Sequence, residues 1–396
     1  MLTWHKTFWS NRLRLPVLLV AGSLTTMAGG VVAPVLPDVI GQLQFDPAVA
    51  GNLVSIHCLT IALFSPPLGI LADRIGPVRV LVPSLVLYAV FGMAGAWIDS
   101  FEPLLATRAL LGAASGGLAA ASLGLLGRMY EGQARSRVMG YATSTLTITG
   151  ILFPALGGWV GARNWRMAFL LYGLALPLAL LASSVFPAHN SIVRQPSGKS
   201  RTQSNQQLLQ VLKHPQTWRL LLSVALTSVA MYAVVIYAPI YLKKTLGLGA
   251  LMNGMVLASR ALGAAFISAF RARQLASRLG PKKAIGVGLL LMAMTLVSIP
   301  FLHQLHWILV AAISFGAGFG IALPTLYNSL ADCSPKDLRS SVLAAGTGAG
   351  FWGQFISPIL LGPVLKLGGM EWVFYAAAFV ALTACFLLRS PVNMKR

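Results

Sequence analysis

The feature that most constrains this chain is a succession of twelve apolar runs separated by shorter polar segments. Each run is about 20 residues or longer, which is enough for a helix to cross the hydrocarbon core of a bilayer. Backbone groups have no water to bind in that core, so spanning segments of this kind must be helical. We predict spans at 15–37, 48–70, 78–98, 102–127, 136–160, 165–186, 217–241, 249–270, 283–302, 305–331, 339–365 and 371–388. The predicted fold class is an all-α membrane protein with twelve transmembrane helices.

The placement of the charges explains the strongly basic composition. Only 10% of the 396 residues are charged, whereas soluble domains carry roughly 25%. The net charge of +21 is compatible with nucleic-acid binding, but 23 of the basic residues fall in the loops of one side and 5 in those of the other. Such asymmetry marks the cytoplasmic side of a membrane protein. We therefore predict a multi-pass cell membrane protein with both termini in the cytoplasm and no nucleic-acid partner.

One long polar stretch divides the spans into two sets of six. It is rich in Ser, Gln, Asn and basic residues, a composition typical of a flexible linker at its start. Its end, Gln206 to Trp218, has the pattern of an amphipathic surface helix that leads into the seventh span. The predicted domains are a cytoplasmic segment at 1–14, a six-helix bundle at 15–186, a cytoplasmic linker at 187–216, a second bundle at 217–388 and a cytoplasmic tail at 389–396.

The loop between the second and third spans is short, charged and rich in glycine. It reads Gly69-Ile-Leu-Ala-Asp73-Arg74-Ile-Gly76-Pro-Val-Arg79. Glycine lets backbones approach closely, and the charges can pair with each other or with helix ends, so a hinge at a membrane face is indicated. The segment 273–283 repeats its Leu, Ala, Arg, Gly and Pro in register, 204 residues later. The two halves of the chain therefore share one design.

This loop resembles motif A of the major facilitator superfamily, the Gly-x-Leu-Ala-Asp-Arg-x-Gly-x-x-Arg connection between transmembrane helices 2 and 3. The segment around Arg108 in the fourth span is similar to motif B of that family. In the fifth span, Pro154, Gly157 and Gly158 resemble the end of motif C, the antiporter signature, although Phe153 stands where a glycine is expected. The first span, with its proline-broken end at 34–38, resembles the drug:proton antiporter branch.

The resemblance implies two pseudo-symmetric six-helix bundles around a central cavity that opens to one side at a time. We expect a secondary active transporter and not an enzyme, exporting small organic molecules with the proton as coupling ion, without a cofactor, and as a monomer. Gating is expected from the loop residues Gly69, Asp73, Arg74, Gly76 and Arg79, with Asp73 helping to lock the closed inner gate. Pro154, with its missing backbone donor, is expected to bend the fifth helix.

Four ionisable side chains are candidates for coupling or substrate binding. Arg108 and Arg260 lie inside spans, where a guanidinium is costly and faces a cavity or a partner. Arg260 lies about eleven residues into its span, roughly 17 Å deep; for Arg108 the alternative is a side chain that extends to the outer face. His57 either titrates near neutral pH or hydrogen-bonds a neighbouring backbone. Asp38 is either a proton site or a solvated carboxylate at a helix end.

The distribution of the carboxylates bears on the solute. All nine lie in loops or at span ends: Asp38, Asp46, Asp73, Asp99, Glu102, Glu131, Asp332, Asp337 and Glu371. The mid-membrane charges are therefore positive, which favours an anionic or neutral amphipathic solute over a lipophilic cation. The alternative function is uptake or exchange of organic anions that bind Arg108 and Arg260.

Polar and aromatic side chains at other span positions are candidates for lining the cavity: Asn52, Tyr232, Tyr237, Asn253, Tyr327, Asn328, Trp352 and Gln354. Three scattered cysteines indicate neither a disulfide framework nor a metal site. No span holds a His-Asp-Ser or metal-ligand cluster, so a membrane-embedded enzyme is disfavoured. A lipid flippase or a non-transporting receptor on the same scaffold is the alternative from another class.

Overall fold

The computed structural model describes residues 2–186, 201–335 and 338–388, and no strand occurs among them. Twelve helices in this part of the chain are long and apolar enough to cross a membrane, which confirms the predicted fold class. They are α1 (Leu13–Leu43), α2 (Pro47–Ile75), α3 (Pro77–Ala94), α4 (Phe101–Met129), α5 (Gly132–Gly161), α6 (Trp165–Val185), α7 (Pro215–Leu246), α8 (Ala250–Phe270), α9 (Pro281–Phe301), α10 (Leu305–Asp332), α11 (Arg339–Gly368) and α12 (Met370–Leu387). The predicted tail at 389–396 and the start of the predicted linker, 187–200, lie outside the described residues.

The end of α1 differs from the proline-broken exit that the sequence indicates. The α-helix stops at Gly30, a 3-10 turn covers Ala33–Val35, and an α-helix resumes over Leu36–Leu43. Pro34 and Pro37 occupy the first positions of these last two segments. Proline is tolerated there because the first N–H groups of a helix have no partner within it. The first α-helix therefore ends before the prolines, and each proline opens a new helical segment.

The predicted surface helix from Gln206 to Trp218 is also placed differently. A non-spanning helix covers Arg201–Lys213, and α7 begins directly after His214. The His214 ring Nδ1 accepts a hydrogen bond from the Gln216 N–H at 3.4 Å, and Pro215 occupies the first position of α7. The cap and the proline separate two helices that the hydrophobic pattern joins.

The chain forms two compact units. The first unit comprises Met1–Asp46, Asn52–Gln195 and Leu248–Met255, and the second unit comprises Pro47–Gly51, Pro196–Gly247 and Val256–Arg396. Each unit thus comes mostly from one half of the chain. The exceptions are Pro47–Gly51, which belongs to the second unit, and Leu248–Met255, which belongs to the first unit. The predicted domain boundaries stay a prediction.

Glycines bring α2 and α4 together in the first unit. A Cβ on Gly116 would lie 2.9 Å from the backbone nitrogen of Ser65, and one on Gly112 would lie 2.6 Å from the Cα of His57. Neither position has room for a larger side chain, so the backbones of the two helices are in contact. This contact sets His57 of α2 beside the turn of α4 that follows Arg108.

The second unit uses the same device between α8, α9 and α10. A Cβ on Gly316 would lie 2.9 Å from the backbone nitrogen of Ala264, and one on Gly288 would lie 2.6 Å from the carbonyl oxygen of Gly318. Close approach of backbones is how spanning helices associate where lipid removes the hydrophobic driving force. Small residues thus set the distances between the helices that carry the charged side chains.

Candidate functional site

The charged loop between α2 and α3 contains an ion pair with the end of α4. Arg128 Nη2 lies 2.6 Å from Asp73 Oδ1, and the Arg128 side chain is 13% exposed whereas that of Asp73 is 75% exposed. Gly76 has a φ of 99°, which only glycine adopts without strain, and Pro77 opens α3 directly after it. The sequence predicts Asp73 but not its partner, because Arg128 looks like any other basic loop residue. Its position in the last turn of α4 is the signal that singles it out.

The other members of this motif have different surroundings. Arg74 and Arg79 are exposed, and a Cβ on Gly69 would lie 3.7 Å from the Cβ of Ala120 on α4. The gating role of the five residues stays a prediction. What the structure adds is a charge contact that ties the loop to α4.

The second copy of the loop keeps the backbone and loses the ion pair. Gly280 has a φ of 81° and Pro281 opens α9, as in the first copy. Ser277 stands where the first copy has Asp73, and its hydroxyl donates to the carbonyl of Gln274 at 2.9 Å. Asp332 stands where the first half has Arg128, and its Oδ1 lies 4.0 Å from Arg339 Nη2. The carboxylate has moved from the loop to the end of the fourth helix.

Arg108 is fully buried in the first unit and is held by several groups. Its Nη1 donates to the hydroxyl of Tyr172 at 2.9 Å and to the carbonyl of Ala28 at 3.5 Å, and its Nη2 donates to the carbonyl of Gly92 at 3.5 Å. The guanidinium carbon lies 4.7 Å from the ring centre of Tyr172 and 5.0 Å from that of Phe169. Cation–π contacts of this kind contribute about 2 kcal/mol when desolvated. The side chain therefore does not extend to the outer face, and its neighbours are carbonyls and aromatic rings.

Tyrosines extend this network across the first unit. The Tyr172 hydroxyl donates to the carbonyl of Ala28 at 2.8 Å, and the Tyr88 hydroxyl donates to that of Leu24 at 2.7 Å. The two rings meet edge to face at 5.6 Å. Arg108 is thus part of a polar cluster that joins α1, α3, α4 and α6.

The other ionisable candidates of this unit lie on α1 and α2. His57 is buried, within electrostatic reach of Arg108, and its Nε2 lies 3.5 Å from the Cys58 sulfur. Its Nδ1 has no hydrogen-bond partner among the described residues. Asp38 is half-buried in the first turn of the segment Leu36–Leu43, where a helix N-terminus stabilises a carboxylate. The coupling role of both residues stays a prediction.

The motif C residues are packed against backbone. α5 is continuous through Pro154. A Cβ on Gly157 would lie 2.5 Å from the carbonyl oxygen of Val31, and one on Gly158 would lie 2.9 Å from the Cα of Gly254. Asn253, a predicted lining residue, belongs to the same unit, is buried, and donates to the carbonyl of Pro34 at 3.3 Å. This region is a tight helix contact.

Arg260 lies in the second unit in a different environment. Within the described ranges, no carboxylate oxygen comes within 4.0 Å of its guanidinium, and its buried Nε has no hydrogen-bond partner. The residue as a whole is half-buried, and Tyr232 of α7 lies near it. A guanidinium cannot shed its proton. Arg260 therefore has one buried donor without a partner, as Arg108 has at its own Nε, and it has no carboxylate counter-charge in the described part of the chain.

The remaining predicted lining residues differ in exposure. Asn52 is half-buried, with an Oδ1 that lacks a partner among the described residues. In the second unit, Tyr232 and Tyr237 are buried. The other predicted lining residues of the second unit are less buried. Tyr327, which hydrogen-bonds Thr347, and Gln354 are half-buried, whereas Asn328 and Trp352 are exposed. The sequence prediction of a shared lining stays untested.

Comparisons with known proteins identify the family. A model of the Major Facilitator Superfamily matches residues 18–358 and 272–396, which confirms the resemblance predicted from the motifs. The Quinolone resistance protein NorA of Staphylococcus aureus (strain Mu50 / ATCC 700699) is 27% identical over 213 residues, or 54% of this chain and 53% of the relative. The Multidrug resistance protein MdtG of Dickeya zeae (strain Ech586) is 33% identical over 158 residues, or 39% of each chain. The matched region thus spans about half, or less, of the length of these relatives.

Solved structures support the fold. A bacterial homolog to the human lysosomal transporter Spinster, in an inward-facing and unoccupied conformation, superposes with a TM-score of 0.82 at 16% identity and covers 96% of each chain. A POT family transporter in complex with a thioalcohol-conjugated peptide gives a TM-score of 0.74 at 14% identity and 94% coverage of each chain. Family and fold place the chain among transporters and not enzymes. In the part of the chain that the structure describes, no three His, Cys, Asp or Glu residues cluster as metal ligands.

Proposed function

The chain belongs to the Major Facilitator Superfamily, and we propose that it exports small organic molecules by proton-coupled alternating access. The relatives named for quinolone and multidrug resistance support export of such compounds. The partial motif C supports antiport. Proton coupling and the direction of transport are the parts of this proposal that need experiment.

The observation that carries the substrate assignment is the contrast between the two intramembrane arginines. Arg108 already has a hydroxyl, two carbonyls and two aromatic rings around its charge. Arg260 has no carboxylate partner among the described residues and is half-buried. A charge this deep needs compensation, and the carboxylate of a bound solute would supply it. We therefore assign Arg260 to substrate and Arg108 to the scaffold of the first unit.

A quinolone fits this assignment chemically. It combines a carboxylate, which suits the fork of a guanidinium, with an aromatic ring system that suits contact with the ring of Tyr232. Tyr232 of α7 lies near Arg260. The candidate substrate class is therefore amphipathic, aromatic and carboxylate-bearing.

The test is transport by purified protein in sealed vesicles with an imposed pH gradient. When a quinolone is added, protons should leave the compartment that the quinolone enters. Collapse of the pH gradient with an ionophore should abolish quinolone accumulation. Protein-free vesicles correct for the passive permeability of the compound. Accumulation that is the same with and without the gradient would contradict antiport.

The same experiment addresses the second candidate, uptake or exchange of organic anions. The observation that favours it is the absence of any carboxylate at mid-membrane depth in this sequence, since such a group often carries the antiported proton. Exchange would show as solute uptake that depends on an anion loaded on the opposite side and is insensitive to the pH gradient. His57 and Asp38 are the titratable groups that proton antiport would draw on in the first unit.

A further inference from the structure

A cavity opens in the second unit where four spanning helices begin or end. The first turns of α7 and α9 and the last residues of α10 and α12 surround it, and it encloses about 640 Å³, part of which is open to solvent. It is separate from Arg260, which lies deep in α8. The basic loops share this end of the helices, which the positive-inside rule predicts to be cytoplasmic. The cavity therefore lies at the level of the lipid headgroups.

Two basic side chains give the rim of the cavity a positive charge. Arg219 projects from the first turns of α7 and is half-buried, and Lys282 projects from the first turn of α9. One carboxylate, Asp332, also lines the cavity, and Arg339 lies 4.0 Å from it. Among the described residues that line the cavity, two are positively charged and one is negatively charged. An anion is the complementary ligand.

The walls of the cavity are apolar. Leu220 and Ile285 are buried, and Leu387 and Leu388 close the side formed by the end of α12. Phe386, the residue before them on α12, is 60% exposed, as expected of a side chain that faces lipid in a spanning helix. An inorganic anion would leave these walls in contact with water. A ligand with a hydrocarbon portion would cover them and gain about 25 cal/mol per Å² of apolar area.

We propose that this cavity binds the headgroup and upper acyl chain of an anionic phospholipid. The phosphate faces Arg219 and Lys282, and the chain runs along the leucines of α12. Basic pockets between transmembrane helices on the cytoplasmic side are suited to such headgroups. A zwitterionic lipid is a poorer fit because its quaternary ammonium adds a positive charge at a basic rim.

A second cavity in the same unit shows which feature of the first cavity is specific to it. It encloses about 400 Å³ and is lined by apolar side chains from α7 to α10 together with the Thr295 hydroxyl, with no charged residue. Apolar walls alone are therefore common to both cavities. The pair of cations is what distinguishes the first one and what selects an anion.

The test compares lipids on the full-length purified protein by native mass spectrometry. Phosphatidylglycerol should stay bound in preference to phosphatidylcholine. The double variant Arg219→Gln with Lys282→Gln should lower phosphatidylglycerol affinity about 30-fold, since each basic side chain near an anionic surface contributes about a factor of five. The matched control, Arg273→Gln with Arg278→Gln, removes the same charge from exposed positions of the same unit outside the cavity and should change affinity less than about threefold.

A second readout locates the ligand without altering its site. Cys333 is a free thiol in the cavity wall, so maleimide labelling of the Cys385→Ser background should slow when phosphatidylglycerol is added to detergent micelles. Burial, and then the nearby Asp332, raise the pKa of the Cys333 thiol, so labelling is measured at mildly alkaline pH. Phosphatidylcholine should not protect.

Three outcomes would overturn the proposal. Equal losses in the cavity and control variants would show that binding follows net charge only. Protection by millimolar inorganic phosphate as strong as that by phosphatidylglycerol would show a free-anion site with no role for the acyl chain. Unchanged labelling of Cys333 with every lipid would show an empty cavity, and this last result is independent of whether the charge variants fold.

Discussion

The first and second units carry the same loop backbone between their second and third helices, but the charges around it differ. Glycine with positive φ followed by proline recurs at Gly76 and Gly280, 204 residues apart. Around that shared turn, the first unit pairs Asp73 with Arg128, whereas the second unit has Ser277 and Asp332 at the corresponding positions. Backbone-defining residues have been kept in both halves, and charged side chains have diverged.

The same contrast holds inside the helices. The first unit surrounds Arg108 with acceptors and rings, whereas Arg260 has no carboxylate partner in the described part of the second unit, and the Nε of each arginine is unpaired. A satisfied buried charge rigidifies its surroundings, and an unsatisfied one is costly unless a ligand completes it. The comparison teaches that Arg108 is held by contacts within the first unit, and it supports our proposals that Arg260 and the cavity at Arg219 and Lys282 in the second unit bind ligands.

The largest effect is expected from Arg108→Ala. It removes three hydrogen bonds and two ring contacts and leaves a cavity among α1, α3, α4 and α6, so stability should fall by about 3 kcal/mol. Thermal unfolding of the purified protein in detergent measures it. The matched control is Arg260→Ala, which should cost less than about 1 kcal/mol because fewer contacts are lost. Equal destabilisation by the two variants would remove the distinction between a structural and an available arginine.

Arg260→Gln tests the other side of the comparison. Loss of a charge-assisted contact to a carboxylate is worth about 2 kcal/mol, so quinolone affinity should fall about 30-fold. Arg260→Lys should recover part of it, because lysine keeps the charge but not the two-pronged geometry. Equilibrium binding to the purified protein is the measurement, with thermal unfolding as the check on folding. Wild-type affinity in the Gln variant would exclude Arg260 from the substrate site.

Asp73→Asn should have a smaller effect. The Asp73–Arg128 pair is largely exposed on the Asp73 side, and exposed pairs contribute up to about 1 kcal/mol. If the pair helps to lock the inner gate, a loss of that size shifts the gating equilibrium toward inward-open by up to about fivefold. Reactivity of an interior cysteine toward a membrane-impermeant reagent on the cytoplasmic side reports the shift.

A companion variant of this prediction moves the ion pair to the other half. Ser277→Asp combined with Asp332→Arg reproduces the first unit's charges in the second unit and should couple favourably in a double-mutant cycle. Absence of both the shift in Asp73→Asn and the coupling in the double variant would leave the ion pair as a surface contact without a gating role.

The smallest effect is expected from Asp332→Asn. Removing this carboxylate lowers the pKa of the Cys333 thiol, since Asp332 is one of the groups that raise it. At a fixed, mildly alkaline pH a larger fraction is then thiolate, which is the reactive form, and maleimide labelling should accelerate a few-fold. Glu371→Gln, on the first turn of α12, serves as a charge-matched control. Labelling slower than in the wild type would show that Asp332 orders the cavity in another way.

Particular residues show where sequence reasoning succeeded. The twelve apolar runs, the charged loop and its repeat all follow from local composition and spacing, because the bilayer requires each span to satisfy its own backbone. The boundaries of the helices were predicted less accurately. The pattern indicates one surface helix through His214, but His214 caps α7. The pattern also places the end of the first helix at Pro34 and Pro37, but each of these prolines begins a helical segment. Caps and proline positions depend on a few atoms that a hydropathy pattern averages away.

The sequence by itself determined the class of this protein: twelve helices in two related halves, and a family whose motifs are local in the chain. Only the tertiary structure decided what each charge does. Whether a guanidinium is satisfied depends on carbonyls and rings that lie 16 to 80 residues away in the chain, as they do for Arg108. In the sequence, Arg108 and Arg260 are alike, each a basic residue inside an apolar run. The packing of neighbouring helices surrounds Arg108 with hydrogen-bond acceptors and leaves Arg260 without a carboxylate partner among the described residues.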